Sequence, residues 1–176
     1  ENPDSLFCVD GVFEWYGSYR LSELCREFDN VLVLKSFSKI GLAGLRLGYV
    51  LGNPGLISDL KVGTTPFSVP ALVQGVGLEI ARSFGRLQEI RDITEEQFSF
   101  IAGALGEKVV RHSRVPFYLM RTPNGSNATA ELLADAGIAV VDCTYCPEIP
   151  DEFIRVSIGT EEQNRLFVAT VTKLGI

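Results

Sequence analysis

The chain has 176 residues, 46% of them hydrophobic and 22% charged, enough to bury one core or two small ones and too apolar for a disordered chain. A net charge of −6 and a pI near 4.9 argue against nucleic acid or an anionic membrane as the main partner. No apolar run reaches bilayer length, nothing reads as a signal peptide, and four scattered cysteines make no disulfide framework. A cytoplasmic protein with reduced thiols is expected.

The chain opens on Glu-Asn-Pro-Asp, without a methionine, and runs directly into the apolar stretch 6–10, LFCVD. It therefore reads as the later part of something longer. In YRLSELCREF, Leu21, Leu24, Cys25 and Phe28 share one helical face. NVLVLKSF is a continuous apolar run of the kind found in strands covered on both sides, and LRLGYVLGN is a second strand candidate. Strand, helix, strand at this spacing predicts an α/β layer with a mostly parallel sheet. Ligands in such sheets bind at the carboxyl ends of strands, which is where Asp10 and the segment from Ser36 to Lys39 would lie.

Asn53-Pro54 is a helix start, a capping side chain followed by proline at the first helical position. A mostly helical stretch from about Pro70 to Gly106 should break near residues 83–85. Beyond it VPFYLMRT predicts a strand, NATAELLADAG a helix closed by Gly137, and IAVVD and EFIRVSIGT two further strands. Thr160 and Gln163 form a capping box for a last helix. The expected division is 1–84, the end of a larger α/β domain, and 85–176, a small α+β domain.

The chemistry concentrates in KSFSKIGLAGLRLGY, residues 35–49. A lysine at the end of a buried strand is costly unless it works, and a desolvated lysine is a nucleophile toward carbonyls. Arg46 offers a fork suited to phosphate, Ser36 and Ser38 add hydroxyls, and the glycines let backbone N–H groups approach an anion. An aldehyde carried on a phosphate, such as pyridoxal phosphate, satisfies all of these groups. Asp10 would keep a pyridine nitrogen protonated. Taken singly, each residue also reads as an ordinary turn, cap or surface group.

The stretch CVDGVFEWY…VLVLKSFSKIGLAGLRLGYVLGNP resembles the fold-type I enzymes that use pyridoxal phosphate, above all the histidinol-phosphate aminotransferases and the related threonine-phosphate decarboxylases. PFSVPALVQ and EFIRVSIGTEEQNRLF resemble later segments of the same family, so the likeness runs through nearly the whole chain. It implies Lys39 as the Schiff-base lysine, Asp10 at the pyridine nitrogen, Phe13 beside the ring, Ser36, Ser38 and Arg46 at the phosphate, and Arg155 on the substrate α-carboxylate. It implies amino transfer between an amino acid or amino phosphate and 2-oxoglutarate, with glutamate as donor, in a homodimer. A threonine-phosphate decarboxylase-like lyase and a non-catalytic module that keeps the fold are the alternatives.

Three departures stand out. Phe13 occupies a position where the family often has tyrosine, and Val115-Pro116 stands where it reads Ala-Asn. The family's N-terminal half, with its Asn-Pro-x-x-Pro-Thr-Gly motif, has no counterpart here, so a missing N-terminal half of the same enzyme is an expected partner. No metal site is expected. Cys143 and Cys146 have metal spacing but no second pair, His112 looks exposed between Arg111 and Ser113, and QGVGLEIAR lacks the third glycine of a dinucleotide fingerprint.

Overall fold

The computed structural model describes residues 2, 4–83, 85–110 and 114–176; His112 lies outside them. The chain divides into two compact units, Glu1–Ile90 and Arg91–Ile176, each built on its own sheet.

In the first unit β1 (Phe7–Asp10) leads into a 3-10 turn at Glu14–Tyr16, a second at Leu21–Glu23 and the one-turn helix α1 (Leu24–Glu27). The amphipathic segment predicted a longer helix. It stops because Phe28 is already extended (φ −131°, ψ 126°) to deliver Val31 to the sheet. Next, β2 (Val31–Ser36) pairs in parallel with β1, opposite residues being Phe7 and Val31 through Asp10 and Leu34. The chain turns through 3-10 segments at Ser38–Ile40 and Ala43–Leu45, and β3 (Gly48–Gly52) returns antiparallel to the other edge of β2. Of the two pairings one is thus parallel. Gly48 has no substitute there, since a Cβ would sit 2.7 Å from the Lys35 carbonyl oxygen.

Helix α2 (Pro54–Val62) starts as its sequence predicts, with the Asn53 side chain accepting the Gly55 N–H. Then α3 (Ala71–Arg82) follows, and α4 (Gly85–Leu105) carries the chain into the second unit. Val31, Leu32 and Val33 are buried, but Phe7 is 47% and Leu34 40% exposed. The apolar runs call for cover on both faces, and this chain alone does not complete it: β1 is an edge strand, and its outward residues lack a covering layer among the described residues.

The second unit holds a four-stranded antiparallel sheet. Its strands are β4 (Val109–Val110), β5 (Phe117–Arg121), β6 (Val141–Asp142) and β7 (Phe153–Ser157), in the order β4-β5-β7-β6. The predicted strand IAVVD loses its first three residues, since only Val141 and Asp142 pair with β7; beyond its end the Asp142 side chain accepts the Thr144 N–H at 2.9 Å. Helix α5 (Ser126–Asp135) lies between β5 and β6 in sequence. The last helix, α6 (Glu161–Leu174), starts with the complete Thr160/Gln163 capping box. Strand alternation puts Tyr118 and Met120 opposite Val156 and Ile154 on one face. These four pack with Ile101, Leu133, Phe167 and Val171 into one core. Among the described residues no helix is long and apolar enough to cross a membrane.

Candidate active site

The parallel pairing of β1 with β2 brings two of the sequence-predicted groups to one end of the first sheet. Asp10 is the last residue of β1 and Ser36 the last of β2. The Gly11 N–H donates to the Leu34 carbonyl at 2.9 Å, so the chain leaving Asp10 stays pinned beside the lysine strand. Asp10 is exposed; one carboxylate oxygen accepts the Val12 N–H at 3.1 Å.

Lys39 lies in the short 3-10 turn Ser38–Ile40, closed by Gly41 at φ 88°, a left-handed conformation that favours glycine. Its side chain is exposed and reaches over the Phe13 ring, with Nζ 5.5 Å from the centroid. The sequence suggested a desolvated amine at this position. The buried lysine is Lys35 instead, four residues earlier, whose ammonium is 2.7 Å from Glu14 Oε2. An inward lysine on an apolar strand requires such a counter-charge. Lys39 has no carboxylate partner among the described residues, which leaves its amine available.

Ser36 Oγ accepts the Ser38 N–H at 3.0 Å, so the hydroxyl proton of Ser36 points away from that bond. Arg46 is exposed and left-handed at φ 50°, a strained conformation for a non-glycine residue that costs about 1 kcal/mol or more. Its own N–H bonds to the Ala43 carbonyl at 3.3 Å, and its Nη1 donates to the same oxygen at 3.4 Å. No carboxylate neutralises Arg46 among the described residues. Amine, carboxylate, hydroxyls and guanidinium thus belong to one unit and to the strand ends and loops at one end of its sheet. The donor set fits pyridoxal phosphate: an aldehyde for the amine, a pyridinium for the carboxylate, a phosphate for the hydroxyls and the fork.

Arg155 belongs to the second unit. It sits mid-strand on β7, opposite Leu119 of β5 and Val141 of β6, with its guanidinium 5.2 Å from the Phe117 ring. Its positive charge opposes the effect of burial, the dominant influence, which pushes the nearby Cys143 thiol up. All four cysteines are free, and the described residues contain no metal-binding cluster.

Sequence reasoning missed the residues Glu14, Trp15 and Tyr16, which sit directly against the lysine segment. Trp15 Nε1 donates to the Ser36 carbonyl at 3.1 Å and the Tyr16 hydroxyl to the Lys39 carbonyl at 2.8 Å. The signal was Lys35: a lysine inside an apolar strand calls for an acid, and Glu14 follows the end of the neighbouring strand.

Comparison with known proteins gives a consistent picture. The family model described as aminotransferase class I and II matches residues 10–171. A histidinol-phosphate aminotransferase of Methanosarcina mazei is 36% identical over 177 residues, covering 96% of this chain and 46% of the relative. Among solved structures, the histidinol-phosphate aminotransferase of Sinorhizobium meliloti in complex with pyridoxal-5'-phosphate superposes with a TM-score of 0.80 at 20% identity, covering 98% of this chain and 50% of that one. The L-threonine-O-3-phosphate decarboxylase of Porphyromonas gingivalis gives 0.79 at 23% identity, with 98% and 55% covered. At these identities the structural likeness shows the fold, and the chain spans about half the length of the curated relatives it matches. With a family model covering most of its length, the chain belongs to the aminotransferase class I and II family.

Proposed function

We propose that this chain carries the cofactor lysine and the substrate-binding small domain of a pyridoxal-phosphate-dependent aminotransferase of the histidinol-phosphate type. The observation that carries this reading is the gathering of Lys39, Asp10, Ser36 and Arg46 at one end of one sheet, within a family-matched segment. Lys39 Nζ would hold the cofactor's aldehyde carbon and Asp10 its pyridine nitrogen. Ser36, Ser38 and Arg46 would hold its phosphate, and the Phe13 ring would lie beside it. When bound, pyridoxal phosphate withdraws electrons from the substrate Cα and so weakens the bonds to that carbon.

The chain's own residues do the rest. Lys39 Nζ, once free, would act as general base toward the proton on the substrate Cα and then, as its conjugate acid, as the proton donor. The Arg155 fork orients the substrate by its α-carboxylate. The substrate is an amino acid or amino phosphate, and 2-oxoglutarate with glutamate forms the other amino pair. Residues 1–84 form the end of the cofactor domain and 85–176 the small domain. The rest of the enzyme is its N-terminal half, in a cytoplasmic homodimer. Cover by the N-terminal half is supported by the exposed β1 face, where a groove of about 630 Å³ is lined by Phe7, Val9, Leu24, Phe28 and Val31.

One observation favours a second reading, a threonine-phosphate decarboxylase-like lyase. Phe13 puts an apolar ring, with no hydroxyl donor, under the lysine amine. The products decide between them. With pyridoxal phosphate and an amino-phosphate substrate, the full-length protein should convert 2-oxoglutarate to glutamate. Release of carbon dioxide without glutamate formation would assign it to the decarboxylases, and neither product would overturn both readings.

A further inference from the structure

We infer that Glu14, Trp15 and Tyr16 are positioning residues: three consecutive side chains that clamp the backbone carrying Lys39 while leaving its amine free. The inference rests on the assignment of Lys39 as the cofactor lysine. Three different interactions make the clamp. Glu14 pairs with the Lys35 ammonium at 2.7 Å, both side chains being nearly buried. Trp15 Nε1 donates to the Ser36 carbonyl at 3.1 Å, at the end of β2. The Tyr16 hydroxyl donates to the Lys39 carbonyl at 2.8 Å.

The spacing makes these contacts act together. A 3-10 turn brings residues 14, 15 and 16 around one tight circuit, so three neighbours project in three directions. Those directions meet residues 35, 36 and 39, which flank and include the turn that presents the amine. Aromatic packing stiffens the same assembly. Trp15 stacks on Phe37 at 6.2 Å, Phe37 lies 5.8 Å from Tyr49, and Tyr16, Phe37 and Ile40 form one buried cluster. The Lys35 ammonium also lies 4.6 Å from the Trp15 ring centroid.

The physical need is plain. The carbonyls of Ser36 and Lys39 lie before and within a turn only three residues long, on either side of the Lys39 Cα and next to a glycine at positive φ. An exposed lysine on such a turn would wander with its backbone. Holding the carbonyls on both sides fixes Cα and leaves only side-chain torsions between it and the reacting carbon. Productive attack tolerates little misplacement, so a fixed Cα raises the fraction of time that Nζ is in reach. Tyr16 and Trp15 therefore act through Lys39 and touch no reactant themselves.

Tyr16→Phe and Trp15→Phe in the full-length protein test this, because each deletes one donor and keeps the aromatic packing. Glu14→Gln is less informative, since it strands a buried ammonium. Two quantities are read on apo-protein: amide exchange across residues 36–41, and the rate at which added pyridoxal phosphate becomes borohydride-fixed on Lys39. Losing one hydrogen bond should speed exchange in that segment by about fivefold to tenfold and slow capture by a similar factor, with exchange in the second unit unchanged. If either quantity stays at the parent value, or if protection falls uniformly along the chain, the clamp is refuted. A parent protein that is tagged elsewhere than Lys39 instead refutes the assignment of the lysine, and the clamp falls with it.

Discussion

In the second unit Tyr118, Met120, Ile154 and Val156, which line one face of β5 and β7, are all 5% exposed or less. In the first unit Phe7 and Leu34, on the paired strands that end at Asp10 and Ser36, are 47% and 40% exposed. One sheet is closed by its own helices, whereas the other leaves part of its apolar surface open. Asp10 and Lys39, the groups proposed to hold the cofactor, belong to the unit with the open one. A self-contained core makes a rigid support. An incompletely covered sheet makes a surface that further protein can complete, and active sites in this architecture form where such surfaces meet the ends of strands.

Stability measurements can break that contrast. Ile154→Ala removes a fully buried side chain from a closed core and should cost about 2–5 kcal/mol in a denaturant titration. Phe7→Ala in the isolated chain should cost about 0.5 kcal/mol or less, because half of that ring is already in water. In the full-length protein the Phe7 cost should rise toward the Ile154 value. Equal costs in the isolated chain would erase the distinction between the two sheets.

Arg155→Ala sharpens the contrast from the functional side. The residue lies on the well-closed sheet, yet its assigned task is binding. Losing a charged hydrogen-bonding partner is worth about 1.5–3 kcal/mol, so KM for α-carboxylate substrates should rise roughly ten- to a hundredfold while the unfolding midpoint barely moves. An unchanged KM for glutamate would remove Arg155 from the substrate site.

Thr160→Ala should cost about 1 kcal/mol, since the hydroxyl caps Gln163 N at 3.3 Å and the box is lost with it. That effect should be the same in the isolated chain and in the full-length protein, because the second unit closes its own core.

The smallest effect is pH-dependent. The Thr144 backbone N–H, first among several donors, holds the Asp142 carboxyl below its usual range. A carboxyl lowered on folding stabilises above its unfolded value, and that contribution is lost as pH falls through the folded value. Asp142→Asn should therefore lower the melting temperature slightly at pH 7 and hardly at all near pH 2. A deficit that persists at the lower pH would point to packing rather than charge.

Much of this was legible in the sequence, and for specific reasons. Asn53-Pro54 and Thr160/Gln163 announce their helices because caps are local chemistry. The site residues could be named because family likeness assigns Lys39, Asp10 and Arg46 by position. The pairing of β1 with β2 brings Asp10 and Ser36 to one end of the sheet, with Lys39 three residues beyond Ser36. What escaped was tertiary. The segment after Tyr19 has helical periodicity, but Phe28 must extend to reach the sheet. The inward lysine is Lys35, not Lys39, and only the fold shows Glu14 beside it. The two-residue β4 is too short to leave any periodic signal.

The most direct test is to find the lysine that the cofactor modifies. The full-length protein is loaded with pyridoxal phosphate, reduced with borohydride, digested and mapped by mass. The pyridoxyl group should be found on Lys39 alone, and Lys39→Ala should carry none while keeping the parent's unfolding midpoint. A tag on Lys35 or Lys61, or an unchanged yield in Lys39→Ala, would contradict the placement of the chemistry at the end of the open sheet.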